Sequence, residues 1–141
     1  MSRVGRGGRA RRERGAAAVE FALIVPVLML LVFGIINYGH MLSVRQSVSQ
    51  AAAEGARAAA VEPGDAAKKT ASATAAVADA LGAHNQVCAP TVCSVTIDKC
   101  PGEAAKQCAT VKVEISYQAL IPGFGAVLPE RLKYTARARV S

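Results

Sequence analysis

A chain of 141 residues has room for one compact domain and an anchor, and excludes a large multidomain enzyme. Its formal net charge of +7 would suit a nucleic-acid partner only if it were spread over the fold. Instead Arg3, Arg6, Arg9, Arg11, Arg12 and Arg14, against Glu13, place +5 before Gly15 and leave +2 for the rest, so the basicity belongs to a leader and no nucleic-acid partner is expected.

After the leader, between Ala16 and Tyr38, the single charged residue is Glu20, near the start. Phe21 to Ile36 is Leu, Ile, Val, Met, Phe and Ala, interrupted by Pro26 and Gly34. As a helix, Ala16 to Tyr38 is roughly 34 Å long, enough for a bilayer core of about 30 Å. A helix apolar on all sides needs lipid or a core larger than this chain can build. The positive-inside rule puts the arginine-rich N-terminus in the cytoplasm and the rest outside. The expected organisation is a basic cytoplasmic leader over 1–15, a transmembrane helix over 16–39 and an extracytoplasmic α+β domain over 40–141. A cleavable secretory signal is the bland rival. It fits less well, because secretory apolar regions run about 7–15 residues and no A-x-A site follows closely.

Glu20 stands five residues beyond Gly15, inside the apolar run. A carboxylate at mid-bilayer costs about 2.5–3.5 kcal/mol on insertion scales, and less near the edge. If the chain is cut after Gly15, the new amine of Ala16 lies one helical turn from Glu20. In a bundle of such helices that amine and a neighbour's Glu20 carboxylate could pair and set the subunit register. Alternatively, Glu20 lies solvated at headgroup depth.

Beyond the membrane, Met41, Val44, Val48, Ala51, Gly55 and Ala59 recur at three- and four-residue steps as one apolar stripe. Ser43, Gln46, Gln50, Glu54 and Arg57 form the opposite polar face. The stripe packs on its own domain or, in part, on neighbouring subunits. Pro26 is expected to kink or loosen the membrane helix. Glu62-Pro63-Gly64 ends the long helix, and Asp65 is an N-cap for a second one that runs through Leu81 to a stop at Gly82. Its Ala and Thr content suggests a surface position.

Cys88, Cys93, Cys100 and Cys108 are an even, clustered set, which outside the cytoplasm reads as two disulfides. Cys88–Cys93 and Cys100–Cys108 are the favoured pairs, with the other connectivities open. Zinc is the rival, but the spacing is poor for it and His84 is the only nearby imidazole, so no metal or cofactor is expected. Period-two alternation marks strands at Ser94–Asp98, Val111–Tyr117 and Leu132–Val140. The simplest architecture is α+β, a long N-terminal helix packed on a small three-stranded antiparallel meander. The Leu120–Glu130 connection carries Ile121, Phe124, Val127 and Leu128, which either cap the core or present an apolar loop to a partner or the membrane surface. Neither His40 nor His84 stands in a base–nucleophile pattern, and phosphate-binding and G-x-S-x-G motifs are absent, so a non-enzymatic role is expected.

Gly15 followed by Glu20 resembles the processing site of type IV prepilins, where a membrane aspartyl peptidase cuts after the glycine. The stretch Arg14-Gly15-Ala16-Ala17-Ala18-Val19-Glu20-Phe21-Ala22-Leu23-Ile24-Val25-Pro26 is similar to the TadE-like pseudopilins of tight-adherence (Flp) pilus systems. Gly34 and the block Ala51-Ala52-Ala53-Glu54-Gly55-Ala56-Arg57-Ala58-Ala59-Ala60 extend the similarity, which is specific over 14–61 and looser over 110–140. Asn37 lies where that family often carries an acidic residue. The resemblance implies a pilin-like fold and a minor subunit needed for pilus assembly, with Gly15, Ala16, Glu20 and Phe21 as the processing site. Its implied partners are a prepilin peptidase, other pilin-like subunits, the assembly platform and the membrane. The competing reading is an unprocessed, signal-anchored binding domain at the cell surface.

Overall fold

The computed structural model describes residues 7–140, so Arg3 and Arg6 of the leader lie outside the described residues. One helix, α1 (Gly7–Val61), passes through the expected leader boundary at Gly15 and the membrane boundary at residue 39 without a break, with Pro26 inside it. Its 55 residues span about 80 Å. From Val19 to Ile36 its large apolar side chains face outward, Leu23 at 71% and Ile35 at 73% exposure. The helix is long and apolar enough to cross a membrane, and the domain leaves its apolar sides open.

The second half of α1 is the spine of the domain. Every member of the stripe from Met41 to Ala59 is buried against the chain's own sheet and second helix. Ala52 and Ala56 are buried as well, because α1 has the sheet on one flank and the second helix on the other. The polar residues from Ser43 to Arg57 face out, and Arg57 Nε donates to Glu54 Oε2 at 3.2 Å.

The second helix, α2 (Ala66–Leu81), is capped by Asp65, whose side chain accepts from the Lys68 amide. One expectation needs correction here: α2 is not a purely surface helix, since Lys69, Ala73, Val77 and Leu81, four residues apart, form a buried face. Ala residues at the α1–α2 contact let the backbones approach closely, so even this Ala-rich helix buries a stripe. The α-helix ends at Leu81 with Gly82 as its C-cap, as expected. Gly82 stays right-handed and opens a 3₁₀ turn (Gly82–His84), and the left-handed residue is Asn85, at φ 52°. Asn tolerates that region better than most side chains.

Three strands follow: β1 (Cys93–Cys100), β2 (Glu103–Ser116) and β3 (Arg131–Val140). They form an antiparallel meander in the order β1-β2-β3. The strands extend the expected alternation at its ends, β2 by eight residues on its N-terminal side, because Pro101-Gly102 closes a tight hairpin between Cys100 and Glu103. Gly102 takes φ 83° there, a backbone position that favours glycine. A register shift after Lys99 accommodates the extra β2 residues. Ala109, Val111, Val113, Ile115 and Tyr117 alternate inward against the helices. The other face carries Lys112, Glu114, Lys133, Thr135 and Arg137 toward solvent. Charges on edge strand β3 discourage edge-to-edge pairing with another chain.

Both disulfides form as expected, Cys88–Cys93 and Cys100–Cys108, with Cα separations of 5.3 and 5.0 Å. They staple β1, an edge strand, at its two ends. With all four sulfurs in disulfides, the thiolates that zinc would require are absent among the described residues.

Candidate functional site

The residues singled out for processing lie on the first turns of the apolar section of α1. Gly15, Ala16, Glu20 and Phe21 are all exposed, Phe21 at 69%. Nothing lies within 4 Å of where a Cβ on Gly15 would stand, so no described neighbour obstructs that backbone. The single helix places Ala16 and Glu20 one turn apart, as the register argument requires of neighbouring copies. Among the described residues the Glu20 side chain has no hydrogen-bond or ion-pair partner.

A second set of contacts joins the end of the apolar section to the domain, and sequence reasoning missed it. Asn37 is 1% exposed. Its Nδ2 donates to the Phe33 carbonyl at 3.1 Å, and its Oδ1 accepts from the Ile121 amide at 3.1 Å. The Asn37 carbonyl accepts from the Tyr117 hydroxyl at 3.3 Å, whose oxygen lies 3.2 Å from His40 Nδ1. With the tyrosine proton given to Asn37, the hydroxyl oxygen is left to accept from the imidazole. Asn37 thus ties the β2–β3 connection, residues 117–130, to the last turn of the apolar section. The signal in the sequence was an amide at the end of an apolar run, a group that needs partners where water is scarce.

Asn37→Ala removes the acceptor for a part-buried N–H, which costs about 1–3 kcal/mol when no replacement is found. The expected outcome is faster amide exchange at Ile121, with exchange in Val111 and Val113 unchanged. Equal protection of Ile121 in both proteins would show that Asn37 does not hold the connection.

On the open sheet face, Glu114 sits 3.2 Å from both Lys112 Nζ and Arg131 Nη1. Hydrogen bonding from Lys112 first, then from Arg131, holds its carboxyl below the ordinary carboxylate range. At the far end of the sheet, Arg139 pairs with Glu103 across the β-hairpin region. The Glu114–Arg131 and Glu103–Arg139 pairs join β2 to β3, while Glu114–Lys112 lies along β2, all on a solvated face.

An uncovered apolar helix that continues without interruption into the spine of a small α+β domain is the plan of a pilin-like protein. The TadE-like protein family model matches residues 15–57, from the proposed processing glycine to Arg57 on the helical spine. Over that segment the chain is similar to the TadE-like family. No curated protein and no solved structure matches the chain.

Proposed function

We propose that the protein is a pseudopilin or minor pilin-like subunit required for assembly of a tight-adherence (Flp-type) pilus. In this reading it is held in the cytoplasmic membrane by α1, with the leader in the cytoplasm and the domain outside. A prepilin peptidase cuts after Gly15, which removes the arginine-rich leader and with it the strongest signal for a fixed orientation. The shortened helix can then pass from lipid into contact with other pilin-like subunits and the assembly platform. There Glu20 of one copy meets the Ala16 amine of another and sets the axial register. The role is structural, not enzymatic, and uses no cofactor or metal.

The observation that carries this reading is the Gly15-to-Glu20 step at the head of an exposed apolar helix, within the segment the TadE-like family model matches. Its test is the intact mass and N-terminal residue of the protein isolated from its native membrane, beside a Gly15→Ala variant. The expected native product begins at Ala16, and the variant keeps its leader and leaves assembly incomplete. A native chain that retains its arginines in cells with active peptidase would instead indicate an unprocessed, signal-anchored domain.

A further inference from the structure

We propose that the β2–β3 connection, residues 117–130, is a second membrane attachment, seated in the outer lipid interface beside α1 with a phospholipid acyl chain in the cleft between them. This rests on reading α1 as a membrane span. The depth of the loop follows from one contact. A Cβ on Gly34 would stand 3.6 Å from Phe124 Cε1, so the Phe124 ring lies against a position inside the apolar run, above Asn37 on the membrane side. Wherever the outer edge of the hydrocarbon falls beyond Ile36, Phe124 is at the depth of that last turn.

The composition of the loop fits that depth. From Gln118 to Pro129 no side chain is ionisable, and the charges resume at once with Glu130 and Arg131. Leu120 and Val127 point away from the domain, at 58% and 83% exposure. On a water-facing loop, two such side chains flanking Phe124 would gain nothing; at a lipid interface each adds buried apolar area.

Backbone entering an apolar medium must have its polar groups satisfied within the protein. Part of that need is already met. The Ile121 amide is bound by Asn37, the Phe124 amide by the Ile121 carbonyl, and the Val127 amide by the Phe124 carbonyl. Pro122 and Pro129 have no N–H to satisfy. Between the loop and the helix an apolar cleft of about 460 Å³ opens among Leu30, Gly34, Ile35, Tyr38 and Phe124. It is continuous with the lipid-facing side of α1, so the medium that covers the helix also fills the cleft.

The chain contains no tryptophan, so single tryptophans serve as depth reporters in the full-length protein. Val127→Trp probes the loop, Leu28→Trp the span and Thr135→Trp the open sheet face. Each is reconstituted in phosphatidylcholine–phosphatidylglycerol vesicles with brominated acyl chains. The expected result is blue-shifted emission from Val127→Trp that loses most of its intensity to bromolipid and resists aqueous acrylamide, as for Leu28→Trp and opposite to Thr135→Trp. Quenching of Val127→Trp by acrylamide as freely as Thr135→Trp, with Leu28→Trp still quenched by bromine, would overturn the loop proposal and leave the span intact. Shielding of Val127→Trp from both quenchers would overturn it in favour of cover by another copy of the chain. A Leu28→Trp variant that bromolipid does not quench would remove the span reading and the loop proposal together.

Discussion

Replacing Gly55 with alanine is expected to destabilise the domain by about 1–3 kcal/mol, and valine at the same position to leave it largely unfolded. At Gly55, α1 packs against both α2 and β2. A Cβ there would stand 2.5 Å from Val77 Cγ2, 3.2 Å from the Ala73 carbonyl oxygen and 3.2 Å from Val111 Cγ1. Val77 and Val111 are fully buried, and the Ala73 oxygen belongs to helix backbone, so none of the three yields cheaply. Against this stands the gain of up to about 1 kcal/mol in helix propensity that Gly→Ala brings at an unobstructed position. Gly39, with nothing within 4 Å of its Cβ position, is such a position and makes the internal control.

The sign therefore differs between the two glycines of one helix. Gly39→Ala is neutral or stabilising, and Gly55→Ala is destabilising, in thermal or denaturant unfolding of the full chain in detergent. Because the shortest clash is with a single methyl group, Val77→Ala should recover part of the loss in a Gly55→Ala background, although alone it destabilises by opening a cavity. Additive losses in the double variant would show that the helices part at Gly55 instead of pressing on Val77.

Loss of both disulfides should lower the midpoint of thermal unfolding by roughly 15–30 °C. The short loops they close restrict the unfolded chain by about 2 kcal/mol each, and each kcal/mol moves the midpoint of a domain this size by about 4–8 °C. The effect is large here because the core is built from small side chains. Ala51, Ala52, Ala56, Ala59, Ala73 and Ala109 occupy buried positions where other domains place Leu or Phe. The staples also act at a vulnerable place, since β1 is an edge strand that meets α2 and β2 but is held at both ends by its cysteines. Paired Cys→Ala variants separate the two contributions. Removing Cys88–Cys93 should free the segment before β1, and removing Cys100–Cys108 should loosen the Pro101-Gly102 hairpin. A midpoint unmoved by reduction would mean that the Ala-rich core is sufficient by itself.

Several features were legible because they depend on local pattern alone. Twenty-odd apolar residues after a cluster of arginines make a lipid-compatible helix in any context, and spacing of three and four continues it past the apolar run. Asp65 before a helix-forming stretch and alternation over Val111–Ser116 are equally local. The cysteine pairing followed from proximity in sequence, which keeps the Cα atoms within bridging distance once a hairpin forms. The Gly15-to-Glu20 step on which the proposed processing rests is likewise local, because a carboxylate in an apolar run stands out without a structure.

What escaped the sequence depends on which surfaces meet. The left-handed turn after α2 falls at Asn85, one 3₁₀ turn beyond the helix end that Gly82 marks as expected. Asn37 read as a departure from a family pattern until an amide eighty-four residues away came to rest on it. Gly55 read as one more small residue of a stripe, and its need to be glycine came only from Val77 and Val111 closing on it from two different elements. Taken alone, the sequence determined the long apolar helix, the strands and the staples, each set by side chains close together in the chain. The tertiary structure alone decided where the β2–β3 connection lies against the apolar helix and which glycine the core cannot replace, because both are set by contacts between distant residues whose distances no local periodicity encodes.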